Sequence, residues 1–172
     1  STRVLDPRFP EVREYLASVY VNALKAWNLD GFKLDFIDNF SLRGNPDPAL
    51  EDNYAGRDYK SIPEATDALL SEVSKALRAI KPDIMIEFRQ GYIGPAIRKY
   101  GNMLRAADCP ADILRNRLRT VSLRLTSGNS AVHSDMIEWP RDATAQFAAL
   151  EILAILFSVP QLSLKLEDLT DD

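Results

Sequence analysis

Charged residues interrupt the first short apolar segment of the sequence. Lys33 and Asp35 alternate there with leucine and phenylalanine, so a β-strand would put both charged side chains on one face. Burying either charge without a partner is costly. The pair therefore indicates either an ion pair that fixes local geometry or a polar pocket. The pocket is favoured because ionisable residues also follow the later apolar segments.

Four further apolar segments of the chain end in ionisable residues. In parallel α/β folds, reactive residues gather at the carboxyl ends of strands and in the loops that follow. These segment ends therefore predict a pocket lined by carboxylates and cations. The residues concerned are Glu87 and Arg89, then Arg105, Asp108 and Asp112, then His133 and Asp135, and finally Lys165 and Glu167. The aromatic Trp139 follows the third of these ends.

A pair of carboxyl groups in such a pocket suits glycoside hydrolysis. One group acts as nucleophile or base and the other as acid. A neighbouring cation favours an ionised nucleophile, which suits Asp35 beside Lys33. The acid must hold its proton near neutral pH and needs less polar or more anionic surroundings. Asp108, in the sequence Ala-Ala-Asp-Cys-Pro, suits that role, and Arg105 opposes it unless the arginine serves the substrate.

The composition argues against several other kinds of site. The 172 residues carry a formal net charge of -4, which is not typical of a nucleic-acid binder. One Cys and one His exclude Cys-cluster zinc sites and multi-His metal sites. We expect no metal and no cofactor, and acid–base chemistry on carboxylates. The sequence has no glycine-rich phosphate loop, so nucleotide binding is not expected.

The sequence also gives expectations about membranes and export. Ser1–Pro10 lacks a basic segment followed by an apolar one, so we expect no signal peptide in this chain. The longest apolar stretch, Phe147–Val159, is interrupted by Glu151 and is too short to span a bilayer. We therefore expect no membrane partner. The sequence does not indicate in which cellular compartment the protein acts.

Apolar periodicity predicts an alternation of helices and strands. The predicted helices are Pro10–Trp27, a helix starting at the capping box Ser61–Glu64, a short helix at Pro95–Tyr100, Asp112–Leu125 and Asp142–Phe157. The predicted strands are Phe32–Ile37, Ile84–Phe88, Asn102–Ala106, Ser130–His133 and Gln161–Leu166. A long connection, Asp38–Lys60, follows the first strand. This alternation is typical of an α/β fold with a parallel sheet.

Three of the predicted helices show clear apolar faces that we expect to point inward, and on the second helix these residues are Leu69, Val73, Ala76, Leu77 and Ile80. On the first helix these residues are Val12, Leu16, Val19, Tyr20, Ala23, Leu24 and Trp27. On the third long helix they are Ile113, Leu114, Leu118, Val121 and Leu125. The arginines between them are expected to form a solvated or salt-bridged face: Arg115, Arg117, Arg119 and Arg124.

The number of strands limits the architecture. A (β/α)8 barrel typically needs about 250 residues, and only five strands are predicted in the 172 residues here. We therefore expect either part of such a barrel or an open α/β sheet.

Two motifs resemble those of a known enzyme group. Leu29–Phe36 is similar to the nucleophile strand of retaining α-galactosidase-type glycoside hydrolases, families 36 and 27 of clan D, to which the family 31 α-glucosidases are related. Arg105–Asp112 resembles the strand-six segment of that group, which carries the acid/base. Ser127–Met136 resembles strand seven of bacterial family-36-like sequences.

The resemblance implies a fold, a reaction and a set of roles. Residues 1–172 would be the C-terminal portion of a catalytic (β/α)8 barrel, from about strand four to strand eight. Asp35 would be the nucleophile and Lys33 a sugar contact. Asp108 would be the acid/base and Arg105 a second sugar contact. The implied reaction is double displacement with net retention on an oligosaccharide or α-glycoside, without a cofactor.

Further substrate contacts are expected around these four residues. Glu87, Arg89, His133 and Asp135 would line the pocket, and Trp139 and Tyr92 would stack on sugar faces. Two departures from the family pattern leave alternatives. The Arg–Asp spacing is one residue shorter than in much of the group, which leaves Asp112 as a rival acid. The Cys- and Gly-rich sugar motif is replaced by Glu87–Tyr92, so α-galactoside is only the first expectation.

Two other interpretations stay open at this point. Lys33 at a strand end could form a Schiff base with a carbonyl substrate, as in an aldolase, with Asp35 and Glu87 moving protons. Alternatively, the chain is a non-catalytic barrel fragment. Open strand edges invite pairing, so such a fragment could exist as a homodimer.

Overall fold

Helices and strands alternate along the chain in a computed structural model, which describes residues 5–37, 56–89, 94–110, 112–165 and 167. The helices are α1 (Pro10–Trp27), α2 (Ile62–Ile80), a 3-10 helix (Pro95–Lys99), α3 (Ile113–Thr126) and α4 (Ala145–Ala154). The strands are β1 (Gly31–Asp35), β2 (Met85–Arg89), β3 (Met103–Arg105), β4 (Ala131–Ile137) and β5 (Val159–Leu162). Most of the predicted connection Asp38–Lys60 lies outside the described residues.

The strands form one sheet in the order β1-β2-β3-β4-β5. The pairs β2–β3, β3–β4 and β4–β5 are parallel. In the register, Arg105 lies opposite His133, and His133 lies opposite Val159. The expected α/β class with a five-stranded parallel sheet is therefore confirmed. Closure into part of a barrel stays a prediction.

The element positions expected from periodicity are confirmed to within a few residues, and α1 matches at both ends. The exceptions have local causes. β1 ends at Asp35 because Phe36 takes a φ of 56°, which lies outside the extended region. β4 continues beyond His133 to Ile137. α4 begins later than expected, after Thr144, whose side chain accepts the N–H of Phe147 and caps the helix.

The chain divides within β2 into two compact units, Ser1–Ile86 and Glu87–Asp172. In the first unit, α2 buries Leu69, Val73 and Leu77, which recur every four residues on one face. The expected cap is present, since the Ser61 hydroxyl accepts the N–H of Glu64. The second unit buries one apolar side chain from β3, two from β4 and one after α4: Leu104, Val132, Ile137 and Ile155.

Arginine ion pairs bind α1 and the segment before it to α2 and the segment before that helix. Arg13 is 4% exposed and donates to Asp58 at 2.6 and 2.8 Å and to Glu72 at 2.8 Å. Arg8 is fully buried and donates from Nε to Asp6 at 2.9 Å. Asp6 also accepts from Arg57 at 3.0 Å. These ion pairs satisfy charges that would otherwise be costly to bury.

The expected apolar faces of α1 and α3 are wrong in part. On α1, Val19 is 45% exposed and Trp27 is 72% exposed. On α3 the leucines and valine expected inside are 37 to 82% exposed, and the helix buries Asn116 and Thr120 instead. The Asn116 amide exchanges hydrogen bonds of 3.1 and 3.0 Å with the backbone of Asp135 in β4. This exchange turns the polar face of α3 towards the sheet.

No helix among the described residues combines the length and the apolar character that crossing a membrane requires.

The pH dependence of stability should report the ion pairs of Asp6. Burial raises the pKa of this carboxyl, but hydrogen bonds from Arg8 and Arg57 outweigh that effect and lower the pKa to about 2. The unfolded chain should titrate near 3.8. The stabilisation is therefore present above pH 4 and is lost as the pH falls through about 2.

We expect Asp6→Asn to be less stable than the wild type at pH 7, and the difference to shrink between about pH 4 and pH 2. Urea midpoints measured across this range would show it. Asp83→Asn, in the exposed turn before β2, is the matched control and should leave the midpoint nearly unchanged. A difference that stays constant down to pH 2 would contradict the assignment.

Candidate active site

The centre of the second unit is a buried ion pair between Arg105 and Asp135. Arg105 is the last residue of β3 and is 2% exposed, and Asp135 in β4 is fully buried. The guanidinium Nη2 donates to Asp135 Oδ1. The other Asp135 oxygen accepts the backbone N–H of Cys109. Asp135 therefore fixes both the arginine and the loop that follows β3.

An irregularity in β4 places Asp135 inside the unit. The pairing with β5 shifts between His133 and Met136, as in a β-bulge, which breaks alternation and redirects side chains. As a result the consecutive residues Ser134 and Asp135 are both fully buried. The backbone N–H of Asp135 also donates to Asn116 of α3 at 3.0 Å.

Asp108, three residues beyond β3, is the exposed carboxylate of this cluster. Its side chain is 61% exposed. One oxygen accepts from Arg105 Nη1 at 3.1 Å, and the other accepts from Arg89 Nη2. Arg89 is the last residue of β2. Two guanidinium groups at the carboxyl ends of neighbouring strands therefore orient one exposed carboxylate.

The backbone of the Asp108 loop is held by α3. Arg119 Nη1 donates to the carbonyl oxygens of Ala107 at 3.0 Å and Asp108 at 2.7 Å. Cys109 is buried, and its Sγ lies 3.3 Å from the Ala107 oxygen. Burial raises the pKa of the Cys109 thiol, so the thiol is a packing group. Arg119 therefore fixes the backbone of the loop at Ala107 and Asp108, next to the Asp108 side chain.

A second pair, Glu87 and His133, lies beside Gln161 at the edge of the cluster. Nδ1 of His133 contacts Glu87 Oε2, and we assign the proton to Nδ1 because a carboxylate only accepts. Gln161 in β5 accepts from Arg105 Nε at 3.2 Å through Oε1. Its Nε2 lies 3.1 Å from His133 Nδ1, and because both groups are donors this is a contact and not a hydrogen bond. The hydrogen-bonded network therefore runs from Arg89 through Asp108 and Arg105 to Asp135 and Gln161.

The predicted nucleophile lies in the first unit, at the end of β1. Lys33 Nζ lies 3.6 Å from Asp35 Oδ2, with side chains 47% and 29% exposed. The two side chains share one face, as alternation predicts. Phe36, which follows, has a φ of 56° and is 61% exposed. A bulky residue in this region is a local strain of the kind that clusters at functional sites.

Three further predicted residues have other placements. Asp112 caps α3, where its side chain accepts the N–H of Arg115 at 2.9 Å. Trp139 is half-buried two residues beyond β4. Tyr92 lies outside the described residues. Substrate contacts by any of the predicted residues stay predictions.

Three residues that hold the cluster were not predicted from the sequence. Gln161 accepts a hydrogen bond from Arg105, Asn116 fixes the backbone of Asp135, and Arg119 fixes the Asp108 loop. A signal existed for Asn116, which lies inside the helix, in its first turn, although asparagine favours caps and turns over helical positions. Arg119 was expected among solvated or salt-bridged arginines, and nothing in its spacing marks it out. Gln161 gives no signal beyond its place at a strand end.

The cluster can orient a hydroxyl-rich ligand and exchange a proton with it. Guanidinium groups donate, and carboxylates accept. Within the described ranges, no group of three or more His, Cys, Asp or Glu side chains is arranged to hold a metal ion.

Comparison with known proteins does not identify a family for this chain. No family model matches the chain, and no curated protein matches it. The chain is similar to a crystal structure of a Paenibacillus sp. cycloisomaltooligosaccharide glucanotransferase complexed with cycloisomaltoheptaose, at 16% identity and a TM-score of 0.47. The similarity covers 75% of this chain and 19% of that one, so the chain spans about a fifth of its length. A similarity at this score supports no conclusion about fold or activity.

The two aspartates of the cluster should differ in their effect on stability. Asp135→Asn removes the buried partner of Arg105 and should cost about 3 kcal/mol. Asp108→Asn removes a mostly exposed carboxylate and should cost less than about 1 kcal/mol. Urea unfolding of both variants at pH 7 measures the difference. Equal losses, or a larger loss for Asp108→Asn, would show that Asp135 does not anchor the unit.

Proposed function

We propose that this chain carries catalytic carboxylates of a retaining glycoside hydrolase, with α-galactosides as its first substrate class. The observation that carries the proposal is the exposed Asp108 carboxylate, held between Arg89 and Arg105 at the carboxyl ends of β2 and β3. The Lys33–Asp35 pair at the end of β1 supports it. So does the resemblance of both segments to motifs of the α-galactosidase group.

In this proposal Asp35 attacks the anomeric carbon and Asp108 protonates the leaving oxygen. Asp108 then takes a proton from the water that releases the sugar from Asp35. Such a mechanism requires the two carboxyl groups to stand about 5 to 5.5 Å apart around the sugar. Lys33, beside the nucleophile, donates to sugar hydroxyls.

The arginines set a condition on the acid role of Asp108. Each of its oxygens accepts a hydrogen bond from a guanidinium group, and an acid must carry a proton on one of them. A substrate hydroxyl that accepts from Arg89 or Arg105 releases one oxygen of Asp108 for that proton. Substrate binding and protonation of Asp108 are then coupled. When a substrate hydroxyl replaces Asp108 as its acceptor, Arg105 stays in position because Asp135 and Gln161 also accept hydrogen bonds from it.

The Schiff-base alternative finds no support around Lys33. That chemistry needs an amine in an apolar pocket, whereas nearly half of the Lys33 side chain is exposed and its ammonium group faces Asp35. No observation therefore favours a second enzyme class. The non-catalytic alternative is tested by the same measurement as the proposal.

We expect the chain to hydrolyse nitrophenyl α-galactoside, with nitrophenyl α-glucoside and α-N-acetylgalactosaminide compared in parallel. Asp35→Asn should abolish turnover because an amide does not form the glycosyl ester. Asp67→Asn, on an exposed position of α2, is the matched control and should keep full activity. Turnover that survives in Asp35→Asn, or no turnover on any of the three, would contradict the proposal.

The acid role of Asp108 should depend on the leaving group. Asp108→Ala should lower kcat/KM roughly 10²- to 10⁴-fold for an alkyl α-galactoside, whose leaving oxygen needs a proton. The loss should be much smaller for a dinitrophenyl glycoside, which leaves without one. Asp112→Ala tests the rival acid and should lower stability through the lost helix cap, with kcat/KM unchanged. A leaving-group effect that appears in Asp112→Ala instead would reassign the acid.

A further inference from the structure

The second unit exposes an apolar stripe along α3. Its members, here called the α3 stripe, recur at intervals of four, three and four residues, so they lie on one face of the helix. Their exposures are 65, 59, 37 and 82% in chain order. The α3 stripe consists of Leu114, Leu118, Val121 and Leu125.

A groove of about 630 Å³ continues the α3 stripe at its C-terminal end. Val121 and Leu125 form one wall, and Leu156, Phe157 and Val159 are also part of the lining. The groove also touches the first residues of β4 and β5. It therefore lies at the amino ends of these strands, whereas the candidate active site lies at carboxyl ends.

The exposed area is large for a surface in permanent contact with water. Single soluble domains rarely expose contiguous apolar patches beyond a few hundred Å². The four stripe residues and the three that continue it at the groove are on average more than half exposed. Seven apolar side chains along one helix and the adjoining groove form the kind of patch that marks an interaction site.

The charges around the α3 stripe restrict its partner. α3 carries four arginines and no acidic residue between Ile113 and Thr126. Packing one α3 against another would bring like charges together, which is unfavourable. The partner should therefore offer apolar side chains together with acidic ones.

The chain itself contains such a surface on α1. Glu11, Tyr15 and Val19 recur every four residues and therefore lie on one face of the helix. Tyr15 and Val19 are 59% and 45% exposed, and Glu11 and the neighbouring Glu14 are exposed as well. The exposed Lys25 lies in the last turn, beyond these residues. The first three turns of α1 therefore offer apolar and acidic side chains together.

We propose that α1 of a second copy docks on the α3 stripe and the adjoining groove. The contact is heterologous, because each copy offers two different surfaces. Burial of the two apolar faces drives it, and Glu11 and Glu14 of one copy face the arginines of the other. The proposal does not depend on the glycosidase activity, because the groove and the Asp108 site lie at opposite ends of the strands.

The test uses two variants that each destroy one surface. Val19→Glu places a charge on the apolar face of α1, and Leu125→Glu places a charge on the α3 stripe. Both positions are exposed, so both variants should fold, and circular dichroism verifies this. Analytical ultracentrifugation over a concentration series should show that the wild type self-associates and that each variant does so at least tenfold more weakly. Ile80→Glu, at an exposed apolar position of α2 that is 42% exposed, is the control and should associate like the wild type.

Mixing the two variants gives the decisive result. The Leu125→Glu chain keeps its α1, and the Val19→Glu chain keeps its α3 stripe. An equimolar mixture should therefore form a complex that stops at one copy of each, since only one intact pair of surfaces is left. A wild type that stays monomeric at every concentration would overturn the proposal, as would a mixture that fails to associate.

Discussion

The buried ion pair between Arg105 and Asp135 is the interaction on which the second unit depends. A fully buried carboxylate is tolerable only when its charge is paired and its remaining lone pairs are used. Asp135 meets both conditions, since Arg105 neutralises it and Cys109 donates a backbone N–H. The pair joins β3 to β4 and also fixes the loop that carries Asp108. Removing either partner would leave the other buried without compensation.

The orientation of α3 and the accessibility of Asp108 follow from that pair. Asn116 bonds to the backbone of Asp135, so α3 turns a polar face to the sheet and leaves its apolar stripe outside. Arg105, anchored from behind, extends a second nitrogen to Asp108 and holds an otherwise exposed carboxylate in one place. One buried charge thus accounts for a preorganised polar site at one end of the strands. It also accounts for an unpartnered apolar surface on a helix.

The sequence predicted most of the elements because apolar periodicity and turn residues are local signals. It failed where long-range polar contacts outweigh that periodicity. The leucines of α3 have regular helical spacing, yet Asn116 decides which face is buried, and its partner is a backbone group in β4. The β4 irregularity that buries Ser134 beside Asp135 is likewise set by pairing with β5. The motifs around Asp35 and Asp108 indicated candidate carboxylates, but the hydrogen bond between Arg105 and Gln161 appears only when their strands lie in one sheet.

The central claim, that Asp35 is the nucleophile of a retaining glycosidase, is tested most directly by trapping its covalent intermediate. A fluorinated α-galactosyl fluoride reacts to form a glycosyl ester that hydrolyses slowly, and mass spectrometry of the digested chain locates it. The account predicts one added fluorosugar on the peptide that contains Asp35, and none in Asp35→Asn. A label on another residue, or no label on the wild-type chain, would contradict it.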